Sequence, residues 1–197
     1  MGLKMKKSKK ERYINWLKNG QVEKFNRYRK LLYKYDVYVI DLENANLEYA
    51  KMENANLENA NMINANLYNS NMANSNLENV DMYNANMKKA NLKNANINKA
   101  DLTGTHINNI QGKHIFKMSG NGSAGREIWY ILEDDYIQAG CWGGTLDEFE
   151  KRVEEVYGND KDSYEYKSYQ DVIEYYRKKR FEKYERFEPK WIDEIKY

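Results

Sequence analysis

The sequence repeats every five residues in the stretch 45–62, which reads ANLEYAKMENANLENANM. The repeat runs from residue 41 to residue 112 and places an apolar residue at the same position of each repeat: Leu42, Leu47, Met52, Leu57, Met62, Leu67, Met72, Leu77, Met82, Met87, Leu92, Ile97, Leu102 and Ile107. A small residue, most often Ala, stands two positions earlier, and the residue between is nearly always Asn or Asp. A period of five fits neither a helix nor an ordinary strand, so the repeat predicts an architecture of its own.

Each repeat predicts a short extended segment followed by a turn. In residues 55–57 the pleat of an extended chain points Ala55 and Leu57 to one side and Asn56 to the other. The apolar pair is therefore expected to face a core and the Asn to face outwards. Five of the core positions are Met, and we expect them to fill the core rather than to bind a soft metal.

The last turn position favours residues that tolerate a positive φ angle. It is Gly104 once, and Asn at Asn44, Asn54, Asn59, Asn64, Asn69, Asn74, Asn79, Asn84 and Asn94. This pattern predicts type II turns, whose second central residue has positive φ. Tyr49, Lys89 and Lys99 break the pattern, so a different turn type is expected there.

The pattern Ala-(Asn/Asp)-Leu-x-x resembles the pentapeptide-repeat family over residues 41–110. The resemblance implies a right-handed quadrilateral β-helix, here of about 3.5 coils, and hence a mainly β fold. Residues twenty apart would then stack, which predicts Asn ladders at Asn46, Asn66 and Asn86 on one face and at Asn56, Asn76 and Asn96 on another.

The flanking segments predict two further parts. The formal net charge is +2, but residues 1–40 carry 12 basic and 3 acidic side chains, residues 41–112 carry 5 and 8, and residues 113–197 carry 15 and 19. We expect a basic helical cap over residues 1–40, the β-helix over 41–112 and a small α+β domain over 113–197. Acids ring the first coil beneath the basic cap, and lysines lie in the last coils beside the acidic C-terminal region: Glu43, Glu48, Glu53 and Glu58, then Lys88, Lys89, Lys93 and Lys99.

Apolar residues at helical spacing predict the elements of the N-terminal cap. Val22, Phe25, Tyr28 and Leu32 predict a helix over about 21–34, and Gly20 separates it from an earlier helix that carries Ile14, Trp16 and Leu17. Residues 25–29, which read FNRYR, are similar to the Asn-x-(aromatic)-Arg lead-in that precedes the first coil in many bacterial pentapeptide-repeat proteins.

The C-terminal part is predicted to be a three-stranded meander with two helices. The strands are expected at residues 114–118, 126–132 and 136–142. Thr145 and Glu148 form a capping box that opens a helix with Leu146, Phe149, Val153 and Val156 on one face, and Gly158 ends it. A second helix with Tyr169, Val172, Ile173 and Tyr176 is expected to run to about Phe187. Residues 140–150 resemble a module that follows pentapeptide repeats in phage and prophage proteins.

No pattern in the sequence predicts catalytic chemistry. The glycine-rich residues 119–125 lack the Lys-Ser/Thr ending of a P-loop and are expected to form a hairpin loop. His106 and His114 have no Cys partners for a zinc site, and Cys141 has no evident His–Asp arrangement. We therefore expect a non-enzymatic protein without cofactor or metal. The absence of an apolar leader, of membrane-spanning segments and of paired cysteines predicts a cytoplasmic protein that contacts no membrane.

Without a prediction of catalysis, the remaining class of function is binding to a protein or a nucleic acid. The favoured hypothesis is a phage- or prophage-encoded interaction factor that inhibits or sequesters a host protein. One alternative, implied by the family resemblance, is a DNA mimic that acts on a type II topoisomerase, although the acids here form a ring at one end and not a long stripe. Another alternative is nucleic-acid binding through the basic N-terminus. Candidate partner-binding residues are Arg27, Arg29, Lys30, Trp129, Trp142, Arg177, Lys178 and Arg180, and a homodimer through the C-terminal domain is possible.

Overall fold

The structure is a computed structural model that describes residues 8–121, 126–140 and 142–185. The chain divides into two compact units with the boundary between His114 and Ile115. We call them the N-terminal unit and the C-terminal unit.

The repeats of the N-terminal unit form a coil that advances by one layer every twenty residues. Parallel bridges join residues twenty apart along the whole repeat, from Asp41 with Asn61 to Asn91 with Gln111. Each layer is bonded to the next through the backbone; Leu57 N donates to Asn76 O at 2.8 Å and Asn76 N donates to Ala55 O at 2.9 Å. Four repeats therefore complete one coil, and each side of a coil contributes a single bridged residue rather than a three-residue strand.

Small and large apolar residues fill the inside of the coils, as the pleat predicted. All five Met and the Leu residues from Leu42 to Leu92 are fully buried, and the Ala residues that precede them are at most 4% exposed. The exception lies in the last coil, where Ile107 is only half-buried. The stacking of these layers gives the repeat its core.

The corners are turns closed by a hydrogen bond from the residue after the turn to the last residue of the side, as in Ala60 N to Leu57 O at 2.9 Å. Asn59 has φ 56° while the residue before it does not have positive φ, which is the type II pattern. The expectation of a different turn at three corners is wrong: Tyr49, Lys89 and Lys99 also have positive φ, of 56°, 61° and 56°. The repeating backbone imposes this conformation whatever side chain occupies the position.

Where the outward-facing residue of a side is Asn, its side chain stabilises the turn that follows it. Its Oδ1 accepts from the backbone N–H two residues later, as from Glu78 to Asn76 at 3.1 Å. The expected ladders form only between the second and third coils, where Asn86 Nδ2 donates to Asn66 Oδ1 at 3.1 Å and Asn96 Nδ2 donates to Asn76 Oδ1 at 3.2 Å. Among the described residues the expected rungs to Asn46 and Asn56 are absent, and Asn76 Nδ2 donates instead to Glu58 Oε2 at 3.3 Å. The outer Asn residues thus stabilise turns within a coil and contacts between coils.

Two helices precede the first coil, close to the expected positions. Helix α1 spans Lys9–Lys18 and begins with a capping box between Ser8 and Glu11. Helix α2 spans Val22–Tyr33. Leu17 and Phe25 are fully buried, while Trp16 and Val22 are half-buried.

The C-terminal unit contains four strands, not the expected three. Strands β1 (Ile115–Asn121), β2 (Arg126–Ile131), β3 (Tyr136–Ala139) and β4 (Trp142–Gly144) form an antiparallel sheet in chain order. The chain reverses after β3 at Gly140, which has φ 62°, so that Trp142 pairs with Ala139 and lies in a strand of its own. Residues 122–125, where a hairpin loop was predicted, and Cys141 lie outside the described residues.

Two helices pack against one face of this sheet. Helix α3 spans Leu146–Tyr157 and begins with the expected capping box, and helix α4 spans Tyr164–Glu185. Leu146, Phe149 and Val153 of α3 are buried together with the buried face of α4. Val156 does not join them, because it is 48% exposed. The expected end of α4 near Phe187 lies outside the described residues.

Candidate interaction surfaces

The open edge of the first coil is covered by the two N-terminal helices. Lys51 N donates to Leu17 O at the end of α1, at 3.0 Å. On the next side, Asn26 of α2 binds the backbone twice: Asn56 N donates to Asn26 Oδ1 at 2.8 Å, and Asn26 Nδ2 donates to Asn54 O at 2.9 Å. The Asn side chain therefore takes the place of a neighbouring strand and protects an edge that would otherwise be unpaired.

Arg29 belongs to this cap and not to a binding surface. Its side chain is fully buried, Nη1 donates to Tyr38 O at 2.9 Å and Nη2 donates to Glu58 O at 2.5 Å. Burial lowers the pKa of Arg29, and the neighbouring Tyr33 opposes this effect. The prediction that Arg29 contacts a partner is therefore wrong; the guanidinium satisfies two carbonyl oxygens at the end of the coil.

Helix α1 is fixed to the first coil by two further side chains. Tyr13 donates its hydroxyl proton to Asp41 O at 2.5 Å, and Lys10 Nζ lies 2.8 Å from Asp41 Oδ2. Burial of Tyr13, with the nearby charge of Asp41, raises the pKa of its hydroxyl to about 12. The hydrogen bond from Lys10 lowers the pKa of Asp41. The described residues show one ion pair between the cap and the first coil, and it uses Asp41 rather than the acidic ring of Glu43, Glu48, Glu53 and Glu58. The other polar contacts of α1 and Arg29 with this coil go to backbone carbonyls.

An exposed apolar strip joins α2 to the first coil. We call it the cap strip, and it consists of Leu31, Tyr35, Val37, Tyr38 and Val39. Tyr35 is 67% exposed and Val39 58%, whereas such side chains are mostly buried in a folded domain. Periodicity does not predict this strip, although residues 35–39 read YDVYV in the sequence.

The cap strip is held in place by specific contacts. Val37 N donates to Leu32 O at 3.0 Å, and Tyr38 donates its hydroxyl proton to Asp36 Oδ1 at 2.9 Å. The Tyr38 ring packs on Tyr33 with centroids 5.5 Å apart. Arg27 and Lys30, both predicted partner-binding residues, are exposed on the adjoining helix α2. An ordered apolar strip beside cations is typical of a protein-binding surface.

The two tryptophans predicted to bind a partner differ in their surroundings. Trp129 on β2 is only 3% exposed, and Lys117 Nζ lies 4.8 Å from the centre of its ring. This burial contradicts the prediction that Trp129 binds a partner. Trp142 on β4 is half-buried and packs on Phe149, with ring centroids 5.5 Å apart.

The three predicted cations of α4 lie together around an open groove of about 660 Å³ that also includes Glu174 and Phe181. Arg177 pairs with Glu150, and Lys178 is exposed. Arg180 is bound between Asp135, at 3.2 Å, and Asp147, at 3.0 Å. Burial acts to lower the pKa of Arg180, but these carboxylates outweigh it and raise the pKa. Arg180 therefore holds the sheet turn to both helices, whereas Lys178 and the 61% exposed Phe181 face solvent.

The described residues contain no group of three or more His, Cys, Asp or Glu side chains placed to hold a metal ion. His106 lies at an exposed bridging position opposite Asn86, as expected from its place in the repeat. None of the described helices is both long and apolar enough to cross a membrane.

Comparison with known proteins agrees with this geometry. A family model described as pentapeptide repeats matches residues 40–79 and 70–109. None of the curated proteins compared with the chain matches it.

Several solved structures resemble the repeat coils. Rfr23, a pentapeptide repeat protein from the cyanobacterium Cyanothece 51142, is 37% identical, with 36% of this chain and 50% of that chain covered and a TM-score of 0.36. HetL from Nostoc sp. strain PCC 7120, which is involved in the regulation of heterocyst differentiation, is 28% identical, with 37% and 35% covered and a TM-score of 0.36. The chain thus spans half the length of Rfr23 and about a third of HetL. Taken with the twenty-residue layers and the buried Ala and Leu columns, the family-model match identifies residues 40–109 as a domain of the pentapeptide repeat family.

Proposed function

We propose that this protein is a non-enzymatic interaction factor, encoded by a phage or prophage, that sequesters or inhibits a host protein in the cytoplasm. Proteins of the pentapeptide repeat family are typically interaction or structural factors, which supports the class of function. The likeness of residues 140–150 to a module of phage and prophage proteins motivates the proposed origin.

The main observation that supports the proposal is the exposure of the cap strip. Its five large side chains remain in solvent although the contacts of Tyr38, Asp36 and Arg29 keep the segment ordered. A partner that covers the strip would remove this apolar area from water at about 25 cal/mol per Å². Arg27 and Lys30 beside it favour a partner with carboxylates around an apolar patch.

The experiment is affinity capture from host lysate, with and without nuclease, followed by identification of the bound protein. We expect one host protein to be captured in both conditions. The variant Tyr35→Ser with Val39→Ser should lose it. The matched control is Val156→Ser with Tyr164→Ser, which removes the same two residue types from the C-terminal unit at 48% and 67% exposure and should retain the partner.

Two results would contradict the proposal. Recovery of nucleic acid alone, removed by nuclease, would favour the alternative function of nucleic-acid binding through the basic N-terminus. Inhibition of purified gyrase in a supercoiling assay would favour the DNA-mimic function, for which the single acidic ring of the first coil offers little support.

A further inference from the structure

One face of the repeat coils has charges arranged so that the face is complementary to itself. We call it the charged face. Its centre is the stacked column Lys51, Asn71, Asn91 and Gln111, and in the first three coils its two edges are the adjoining corner columns Glu48–Tyr68–Lys88 and Glu53–Ala73–Lys93. Both edges run from a carboxylate in the first coil, through an uncharged residue in the second, to a lysine in the third.

The other two corner columns lack this order. One holds Glu43, Ile63 and Tyr83, and the other holds Glu58, Glu78 and Asn98. Only the charged face is therefore bordered on both sides by the sequence acid, neutral, base.

The four charged side chains at the edges of this face form no ion pair with the described residues. Glu48, Lys88 and Lys93 make no ion pair with any residue that the structure describes, and Glu53 accepts a single long hydrogen bond from Asn74 Nδ2, at 3.4 Å. Lys88 and Lys93 are exposed. The four groups are thus available to a partner of opposite charge at each position.

The backbone and amides of the face are fixed. Asn91 Nδ2 donates to Asn71 Oδ1 at 3.0 Å, and the Oδ1 atoms of both residues accept from the corner amides, with Lys93 N at 3.0 Å from Asn91. Ala73 is 6% exposed and does not project. The face is therefore flat at one edge and rigid along its centre, which lowers the entropy lost on association.

At the other edge Tyr68 is ordered by its neighbours. Its ring meets that of Tyr49 edge-on, with centroids 5.8 Å apart, and Lys89 Nζ lies 5.3 Å from its centre. Tyr49 and Lys89 occupy positive-φ positions that suit Asn better, and both contact this ring. The corner thus presents an ordered aromatic group at mid-height between the acid and the base.

We propose that the charged face binds the same face of a second copy in antiparallel orientation. A twofold axis lying in the interface at the level of Asn71 places Glu48 opposite Lys88 and Glu53 opposite Lys93 of the second copy, each twice, and places Tyr68 opposite its own counterpart. Such self-complementarity is what an isologous dimer requires. A parallel arrangement would instead oppose acid to acid and base to base.

The dimer is weak, because the face is small. Three layers at about 4.8 Å spacing limit the contact to a few hundred Å² per copy, well below the roughly 800 Å² of a standard interface. We expect dimerisation at hundreds of micromolar protein, weakened by salt since its pairs are partly exposed.

Sedimentation equilibrium at 0–500 mM salt tests the proposal with matched variants. Glu53→Lys should weaken dimerisation by about tenfold, because two attractive pairs become repulsive in the twofold dimer. The control is Glu78→Lys on a corner away from the face, where the carboxylate likewise accepts one bond from an Asn one layer on, at 3.3 Å. That control should dimerise like the parent, and Lys93→Glu should behave as Glu53→Lys does.

A mixture of variants makes the result decisive. Glu53→Lys and Lys93→Glu each oppose like charges in a homodimer, but together they restore both pairs, so the mixture should form heterodimers as strongly as the parent forms homodimers. A monomer up to about 1 mM would overturn the proposal, and so would a dimer that is insensitive to both substitutions. The latter result would place self-association elsewhere, for example in the C-terminal unit.

Discussion

Lys99 occupies a backbone conformation that the other corners of the repeat coils mostly give to Asn. Lys99 has φ 56°. This conformation lowers the free energy of unfolding by about 1 kcal/mol for a residue with a long side chain, relative to Asn or Gly. We expect Lys99→Asn to raise the free energy of unfolding by about 0.5–1 kcal/mol, measured by urea denaturation. Lys93→Asn changes the same side chain at a corner position without positive φ and should have little effect. Equal changes in the two variants would contradict the strain argument.

Arg29 and Arg27 lie on the same helix and differ only in what surrounds them. Arg29→Met removes the hydrogen bonds to Glu58 O and Tyr38 O and leaves both carbonyls unpaired. We expect a loss of about 3 kcal/mol in the free energy of unfolding. Arg27 is 82% exposed, and Arg27→Met should cost less than about 0.5 kcal/mol. A small effect of the Arg29 substitution in urea denaturation would refute its capping role.

Residue type alone predicts the turn conformation at some corners and fails at others. Asn59 and its counterparts could be assigned to left-handed turns because Asn favours that conformation. Tyr49 and Lys89 could not be, since the stacked backbone of the neighbouring coils and the contact with Tyr68 override their own preference. Residue type alone does not distinguish Arg29 from Arg27, because the partners of Arg29 are backbone oxygens that any residue could supply. Only its place in the Asn-x-(aromatic)-Arg lead-in sets it apart.

At the scale of elements, helix α2 is joined to the first coil through Asn26. Asn26→Ala removes both backbone bonds and should cost about 2 kcal/mol, whereas Asn26→Asp keeps the acceptor for Asn56 N and should cost less. The measurement is amide hydrogen exchange at Asn56, which should become faster in the order parent, Asp, Ala. Unchanged exchange in Asn26→Ala would show that α2 docks through other contacts.

Helix α1 introduces a pH dependence through Tyr13. Its pKa is about 12 in the folded chain and about 10 in an unfolded one. The folded state therefore holds the proton more firmly, so the stabilisation is complete below pH 10 and is lost as the pH rises towards 12. Chemical denaturation between pH 8 and 11.5 should show a smaller decline in Tyr13→Phe than in the parent. A decline of the same size in both would contradict this assignment.

The elements themselves were largely predictable, and the exceptions have physical causes. Apolar spacing and the Thr145 capping box located α3, but Val156 is 48% exposed while the next residue, Tyr157, packs against the core, so Val156 lies to one side of the buried face. The third strand was expected to continue through Gly140, and a glycine with positive φ instead reversed the chain and produced β4. The cap strip escaped prediction because exposure of a short apolar run depends on tertiary packing and not on periodicity.

At the scale of the whole molecule, cooperative folding of the repeat coils depends more on the five-residue spacing than on the number of repeats. Deletion of residues 62–66 removes one repeat and keeps every later Leu or Met in the core position, so cooperative unfolding should persist with a lower midpoint. Deletion of residues 62–65 shifts every later core residue by one position and should abolish cooperative unfolding of the coils. Circular dichroism during thermal denaturation distinguishes the two. Survival of the four-residue deletion would contradict the layered core.

The hydrogen bonds that close the corners also affect the deamidation of the Asn residues there. An Asn deamidates when the backbone nitrogen that follows it attacks its side-chain amide. At the corners that nitrogen is already engaged as a donor within the turn, as Ala60 N is to Leu57 O and Ser75 N is to Met72 O. These hydrogen bonds hold the attacking nitrogen away from the side-chain amide, so we expect the corner Asn residues to deamidate more slowly in the folded chain than in the unfolded one.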